Sequence, residues 1–124
     1  MRVQLTVVGL SALLLACGGA EISVTGHDPV PDPHRVSGQQ AMRLVLNGAL
    51  LVDVSDRIEY YGRHVQGAFN IPWDELEERT HEIPRDRPVI VYSRDGRHAA
   101  ESDLFLRSRG FDVHLLGRFE NWGS

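Results

Sequence analysis

The feature that most constrains this chain is Val89-Ile90-Val91-Tyr92-Ser93-Arg94-Asp95-Gly96-Arg97-His98-Ala99-Ala100. A short apolar run enters a six-residue polar loop with one glycine, and a helical pattern follows. A loop that carries the chain from a buried strand into a helix points several backbone N–H groups at one place, where the helix dipole favours negative charge. The stretch therefore predicts an anion-binding loop of Ser93, Arg94, Asp95, Gly96, Arg97 and His98, opened by a serine where nucleophilic chemistry would ask for a cysteine.

The flanking segments repeat the alternation of strand and helix. Ser37-Gly38-Gln39-Gln40 has the form of a capping box, and Ala41, Met42, Val45 and Leu46 recur at helical spacing before Gly48. Leu50 to Val54, broken only by Asp53, reads as a parallel strand covered on both faces. A short helix over Asp56 to Gly62, a brief strand at Ala68–Ile71 and a helix over Trp73 to Glu82 come next. Beyond the loop, a helix from about His98 to Arg109 is expected to turn Ala100, Leu104 and Phe105 inward and Glu101, Ser102 and Arg107 outward. Asp112–Leu116 reads as a last strand and Arg118 to Trp122 as a helical turn. The order predicts one α/β domain with a mainly parallel sheet and a site beyond the carboxyl ends of the strands.

A chain of 124 residues, 42% hydrophobic, supports one such domain and not two. A net charge of −4 spread over both signs gives no basic stripe for nucleic acid. Residues 1–16 join a charged start to a short apolar run, the pattern of a signal peptide rather than a membrane span. Their end, Leu14-Leu15-Ala16-Cys17, resembles the lipobox of bacterial lipoproteins, which implies that Cys17 becomes a lipid-modified N-terminus. As the single cysteine it excludes an internal disulfide. Residues 17–35, rich in Pro and Gly, read as a flexible tether. His27, Asp28, Asp32 and His34 within it are too irregularly spaced to be offered as a metal site, and the expectation is no metal and no cofactor.

Several words of the remaining stretch, residues 36–124, resemble the rhodanese-like family. Leu51-Val52-Asp53-Val54 looks like its first core strand, and His64-Val65-Gln66-Gly67-Ala68-Phe69-Asn70-Ile71-Pro72 fits its H-x-x-G-A-x-N-I-P motif. Trp73 to Glu78, Arg109 to Val113 and Phe119 to Trp122 are similar to its later segments. The resemblance implies a single rhodanese-like domain with five parallel strands flanked by helices. It also implies a C-R-x-G-x-R loop whose cysteine carries a sulfane sulfur in the active enzymes. Here the loop reads Ser93-Arg94-Asp95-Gly96-Arg97-His98, and Ser55 follows Asp53-Val54 where the family often has an arginine. A hydroxyl does not ionise appreciably at neutral pH and does not hold a persulfide.

The expected function is therefore that of an exported, lipid-anchored module, facing the periplasm or the extracellular side. Its loop binds a small oxyanion or a partner protein, or leaves the domain a structural module. The alternatives are residual sulfurtransfer and, more remotely, hydrolysis by Ser93 and His98 with Asp53 or Asp95 as orienter. His64 is read as organising the turn before Gly67 rather than as a base.

Overall fold

The computed structural model of the chain describes residues 31–124. The expected signal peptide, Cys17 and most of the tether lie outside the described residues. Four parallel strands form one sheet in the order β2-β1-β3-β4: β1 is Leu50–Asp53, β2 Phe69–Asn70, β3 Val89–Ser93 and β4 Val113–Arg118. The fifth strand implied by the resemblance is reduced to one bridge, Arg35 to Leu115. There the Leu115 amide donates to His34 O at 2.7 Å and the Val36 amide to Leu115 O at 3.0 Å. Pro33 offers no backbone donor, Arg35 N closes a turn on Asp32 O, and the chain enters a helix at Ser37, so pairing has no room to continue.

The central strand β3 is buried along its whole length, and its alternation builds two cores. Val89 and Val91 face Val52, Val54, Ile71, Leu106 and Phe111 on one side of the sheet. Ile90 and Tyr92 face Ala41, Leu51, Val65, Ala68 and Leu116 on the other. The helices are α1 (Gly38–Leu46), α2 (Arg57–Gly62), α3 (Leu76–Arg79) and α4 (Arg97–Ser108).

The capping box forms as expected, with Gln40 N donating to Ser37 Oγ at 3.1 Å and Ser37 N to Gln40 Oε1 at 2.8 Å. The apolar stripe of α1 is not the expected one. Ala41 is buried and Leu44 and Val45 are half-buried against the core, whereas Leu46 is 85% exposed and Met42 lies at the surface. The single helix expected over Trp73 to Glu82 is divided into a 3₁₀ turn at Trp73–Glu75, α3, and a second 3₁₀ turn at Thr80–Glu82. Arg57 and Arg79 both bind Glu75 there and hold its carboxyl below the usual range, chiefly through the hydrogen bond from Arg57.

The largest departure is the face of α4. Ala99, Ser102, Asp103 and Leu106 are its buried residues, and Leu104 is 65% exposed. Two polar residues therefore occupy inward positions of the i, i+3, i+4, i+7 pattern, while Ala100 and Phe105 pack half-buried against the core as expected and only Leu104 turns outward. Asp103 is paired with Arg107 one turn on, with Arg107 Nε 3.0 Å from Oδ1. Among the described residues Ser102 has no such partner.

Candidate functional site

Strands β1 and β3 end side by side, Asp53 opposite Tyr92, and release their next residues at one edge of the sheet. Ser55 is buried there. Its amide donates to Asp53 Oδ1 at 2.8 Å, and its Oγ accepts the Arg94 amide at 2.9 Å. Asn70 Nδ2 reaches Asp53 O at 2.8 Å and Ser55 O at 3.0 Å, tying β2 to the same corner. Below it, the Tyr92 hydroxyl accepts the Val65 amide at 2.9 Å, and burial pushes that phenol far above its ordinary range. Tyr92 stays protonated and supplies no base.

The loop wraps around Ser93. This residue is 1% exposed, and its Oγ accepts the amides of Gly96 at 3.0 Å and Ala99 at 3.2 Å. The hydroxyl thus occupies the amide cradle at the N-terminus of α4, acting as an internal cap. Gly96 has φ +89°, and a Cβ there would lie 2.7 Å from the Arg118 side chain, so both conformation and space require glycine. Asp95 Oδ1 takes the Arg97 amide at 3.1 Å.

The six loop residues share one hydrogen-bonded turn, but their cations do not converge. The Arg94 guanidinium points back to α2, donating to Glu59 O at 2.8 Å and Arg63 O at 3.2 Å and closing that helix's carboxyl end. Arg97 is exposed. His98 lies flat on Trp73, with centroids 4.3 Å apart and planes 6° from parallel, and its Nδ1 is 3.4 Å from Glu101 Oε1. The Ser93–His98 pair imagined for hydrolysis does not form: the imidazole is directed to Trp73 and Glu101, Asp53 binds the Ser55 amide, and Asp95 binds the Arg97 amide. His64 stacks on Tyr60 at 3.8 Å and its Nδ1 lies 2.7 Å from Tyr60 O, in a structural position before the positive-φ Gly67.

Strand-loop-helix geometry of this kind, with a buried residue at the head of the loop, has known counterparts. A family model described as the rhodanese-like domain matches residues 37–124. The chain belongs to the rhodanese-like domain family. Among relatives, the uncharacterized protein YqhL of Bacillus subtilis is 33% identical over 87 residues, covering 68% of this chain and 69% of that protein. The thiosulfate sulfurtransferase GlpE of Tolumonas auensis is 33% identical over 91 residues, covering 71% and 86%. The crystal structure of reduced Bacillus anthracis CoADR-RHD superposes with a TM-score of 0.67 at 30% identity, over 72% of this chain and 16% of that one. The human single-domain sulfurtransferase TSTD1 shares the fold, with a TM-score of 0.64 at 22% identity over 73% and 96%.

Three residues of this rhodanese-like domain escaped the sequence reading as parts of the site. Ser55, noted there only as a departure, holds the first loop amide. Trp73 carries the His98 ring, and Ser102, expected outward, is buried beside them. A tryptophan at the start of a helical segment was the one available signal, and nothing local linked it to the loop.

Proposed function

We propose that this chain is an exported, lipid-anchored rhodanese-like domain that lacks the nucleophile of the sulfurtransferases and serves as a binding module, with a protein rather than a small oxyanion as its partner. The reading rests on one observation: the atom at the head of the loop is the Ser93 oxygen, already bound to the Gly96 and Ala99 amides. An alcohol so held attacks no sulfur donor. The choice of a protein over an oxyanion is supported by Arg94, whose charge caps α2, and by His98, which faces a carboxylate.

In this proposal residues 1–16 are the export signal, Cys17 carries lipid and residues 17–35 form the tether to residues 36–124. Acyl chains contribute roughly 0.8 kcal/mol per buried methylene, so a multiply acylated Cys17 would hold the domain at the envelope surface. Among the described residues no helix is long and apolar enough to cross a membrane.

The second reading, residual sulfurtransfer, is favoured by relatives such as the GlpE proteins, described as thiosulfate sulfurtransferases. A thiosulfate–cyanide assay on the purified protein separates the two. Thiocyanate formation is expected at the buffer rate; turnover that scales with protein concentration rejects the binding-module reading. For the anchor, radiolabelled palmitate fed to producing cells should mark the wild type and leave Cys17→Ala unlabelled. Equal labelling of the two removes the lipid.

A further inference from the structure

Beside the loop, between α4 and the segment Trp73–Leu76, lies a groove of about 360 Å³. That is at the small end of ligand pockets, which run roughly 300–1,000 Å³. Its apolar surface comes from Trp73, which is 44% exposed, and from Leu76 and Phe105. Its rim carries the carboxylates of Asp74, Glu77 and Glu101, and no lining residue is basic.

The second observation is Ser102. It is 3% exposed, lines this groove, and its hydroxyl has no hydrogen-bond partner among the described residues. Buried hydroxyls are nearly always paired, because an unpaired one has given up its water for nothing. Alanine would serve α4 better at this position if packing were its only role. An unpaired oxygen in the lining of an acidic, aromatic-walled groove is placed to meet a donor brought by a ligand.

The neighbouring cations leave the groove negative. Arg109 lies 3.6 Å from Glu77 and 4.5 Å over the Phe105 ring, and His98 lies 3.4 Å from Glu101. Asp74 has no ionic partner among the described residues. Three carboxylates thus face one arginine and one histidine.

We propose that this groove receives an arginine side chain presented by a partner protein, a step that rests on the protein-binding half of the reading above. The guanidinium suits these walls better than an ammonium. Its planar face stacks on aromatic rings, its five donors form a fork that carboxylates match, and its methylene stem covers apolar surface. The same pairing recurs within the domain, where Arg63 covers Phe119 at 4.5 Å and Arg85 covers Phe111 at 4.0 Å. The arginine would sit against the part of Trp73 that His98 leaves uncovered, with one edge toward Glu101 and Asp74 and a donor on Ser102 Oγ.

The test is an NMR titration of the full chain with the peptide acetyl-Leu-Arg-Leu-amide, in parallel with the same peptide carrying citrulline, which keeps the shape and loses the charge. Saturable shifts are expected at the Trp73 indole N–H and at the Glu101 and Ser102 amides. Binding of the citrulline peptide should be weaker by about tenfold or more. The pair Asp74→Asn/Glu101→Gln should lose a similar factor, and Ser102→Ala should weaken binding severalfold with an unchanged spectrum elsewhere. Equal affinity for the two peptides, shifts centred on another face, or full affinity in Ser102→Ala overturns the proposal. None of these outcomes depends on the sulfurtransfer assay, so a failure here is distinguishable from the discovery of turnover.

Discussion

Ser93→Cys is expected to convert the loop into one that accepts a sulfane sulfur. The Ser93 oxygen sits at the N-terminus of the twelve-residue α4 and accepts two amides, from Gly96 and Ala99. A sulfur in its place inherits those donors and the helix dipole, both of which favour the thiolate, so its pKa should fall from about 8.5 into the range of roughly 3.5–7.5 seen at such positions. The thiolate would attack the outer sulfur of thiosulfate, the S–S bond would break, and sulfite would leave with the bonding electrons. Cyanide would then remove the bound sulfur as thiocyanate. Mass spectrometry after thiosulfate treatment should find the variant heavier by one sulfur atom, and the wild type unchanged. Adding His98→Arg should raise turnover further, because the longer, always-charged side chain at the end of the loop can leave Trp73 and reach the incoming anion. No persulfide on the double variant would mean that the Ser93 loop does not admit thiosulfate, and the Ser93 oxygen would no longer by itself account for the absence of turnover expected of the wild type.

That variant also marks how far local pattern reaches. The strand, the loop and the helix after it were legible because each is written in consecutive residues: an apolar run, a polar loop with glycine, then helical spacing. The capping box at Ser37 and Gln40 was legible for the same reason. What could not be read was direction. Arg94 looked like an anion ligand because it follows Ser93, yet its partners are carbonyls at positions 59 and 63, brought near only by folding. The face of α4 was read only in part: Ala100 and Phe105 do pack on the core, but polarity at Ser102 and Asp103 hides two further inward positions, one neutralised by Arg107 and one unpaired among the described residues. Both departures fall beside the loop, where side-chain partners come from segments distant in sequence.

Gly38→Ala carries the largest expected loss of stability, against what its place in a helix suggests. Alanine is the better helix former by about 1 kcal/mol, so an exposed glycine in α1 would improve on substitution. Gly38 is instead buried under the C-terminus. A Cβ added there would lie 2.2 Å from Asn121 O, 2.5 Å from Gly123 N and 2.6 Å from Ser124 N. All three are backbone atoms, so no side chain can turn aside. The turn over Phe119–Asn121 would have to lift away, weakening the Gln39 N to Ser124 O and Asn121 Nδ2 to Leu116 O bonds and drawing Phe119 and Trp122 from the core they share with Ala41 and Tyr92. Overpacking of this kind costs about 3 kcal/mol, which for a domain of this size lowers Tm by roughly 10–20 °C. The comparison that isolates the cause is a double-mutant cycle in which Gly38→Ala is placed in a chain ending at residue 121. If contact with Gly123 and Ser124 contributes to the loss, the substitution costs less in the shortened chain than in the full one, and the difference is the coupling between helix and terminus. A full-length Gly38→Ala that melts at or above the wild type would show that helix propensity outweighs the clash, and that α1 does not rest on the last residues of the chain.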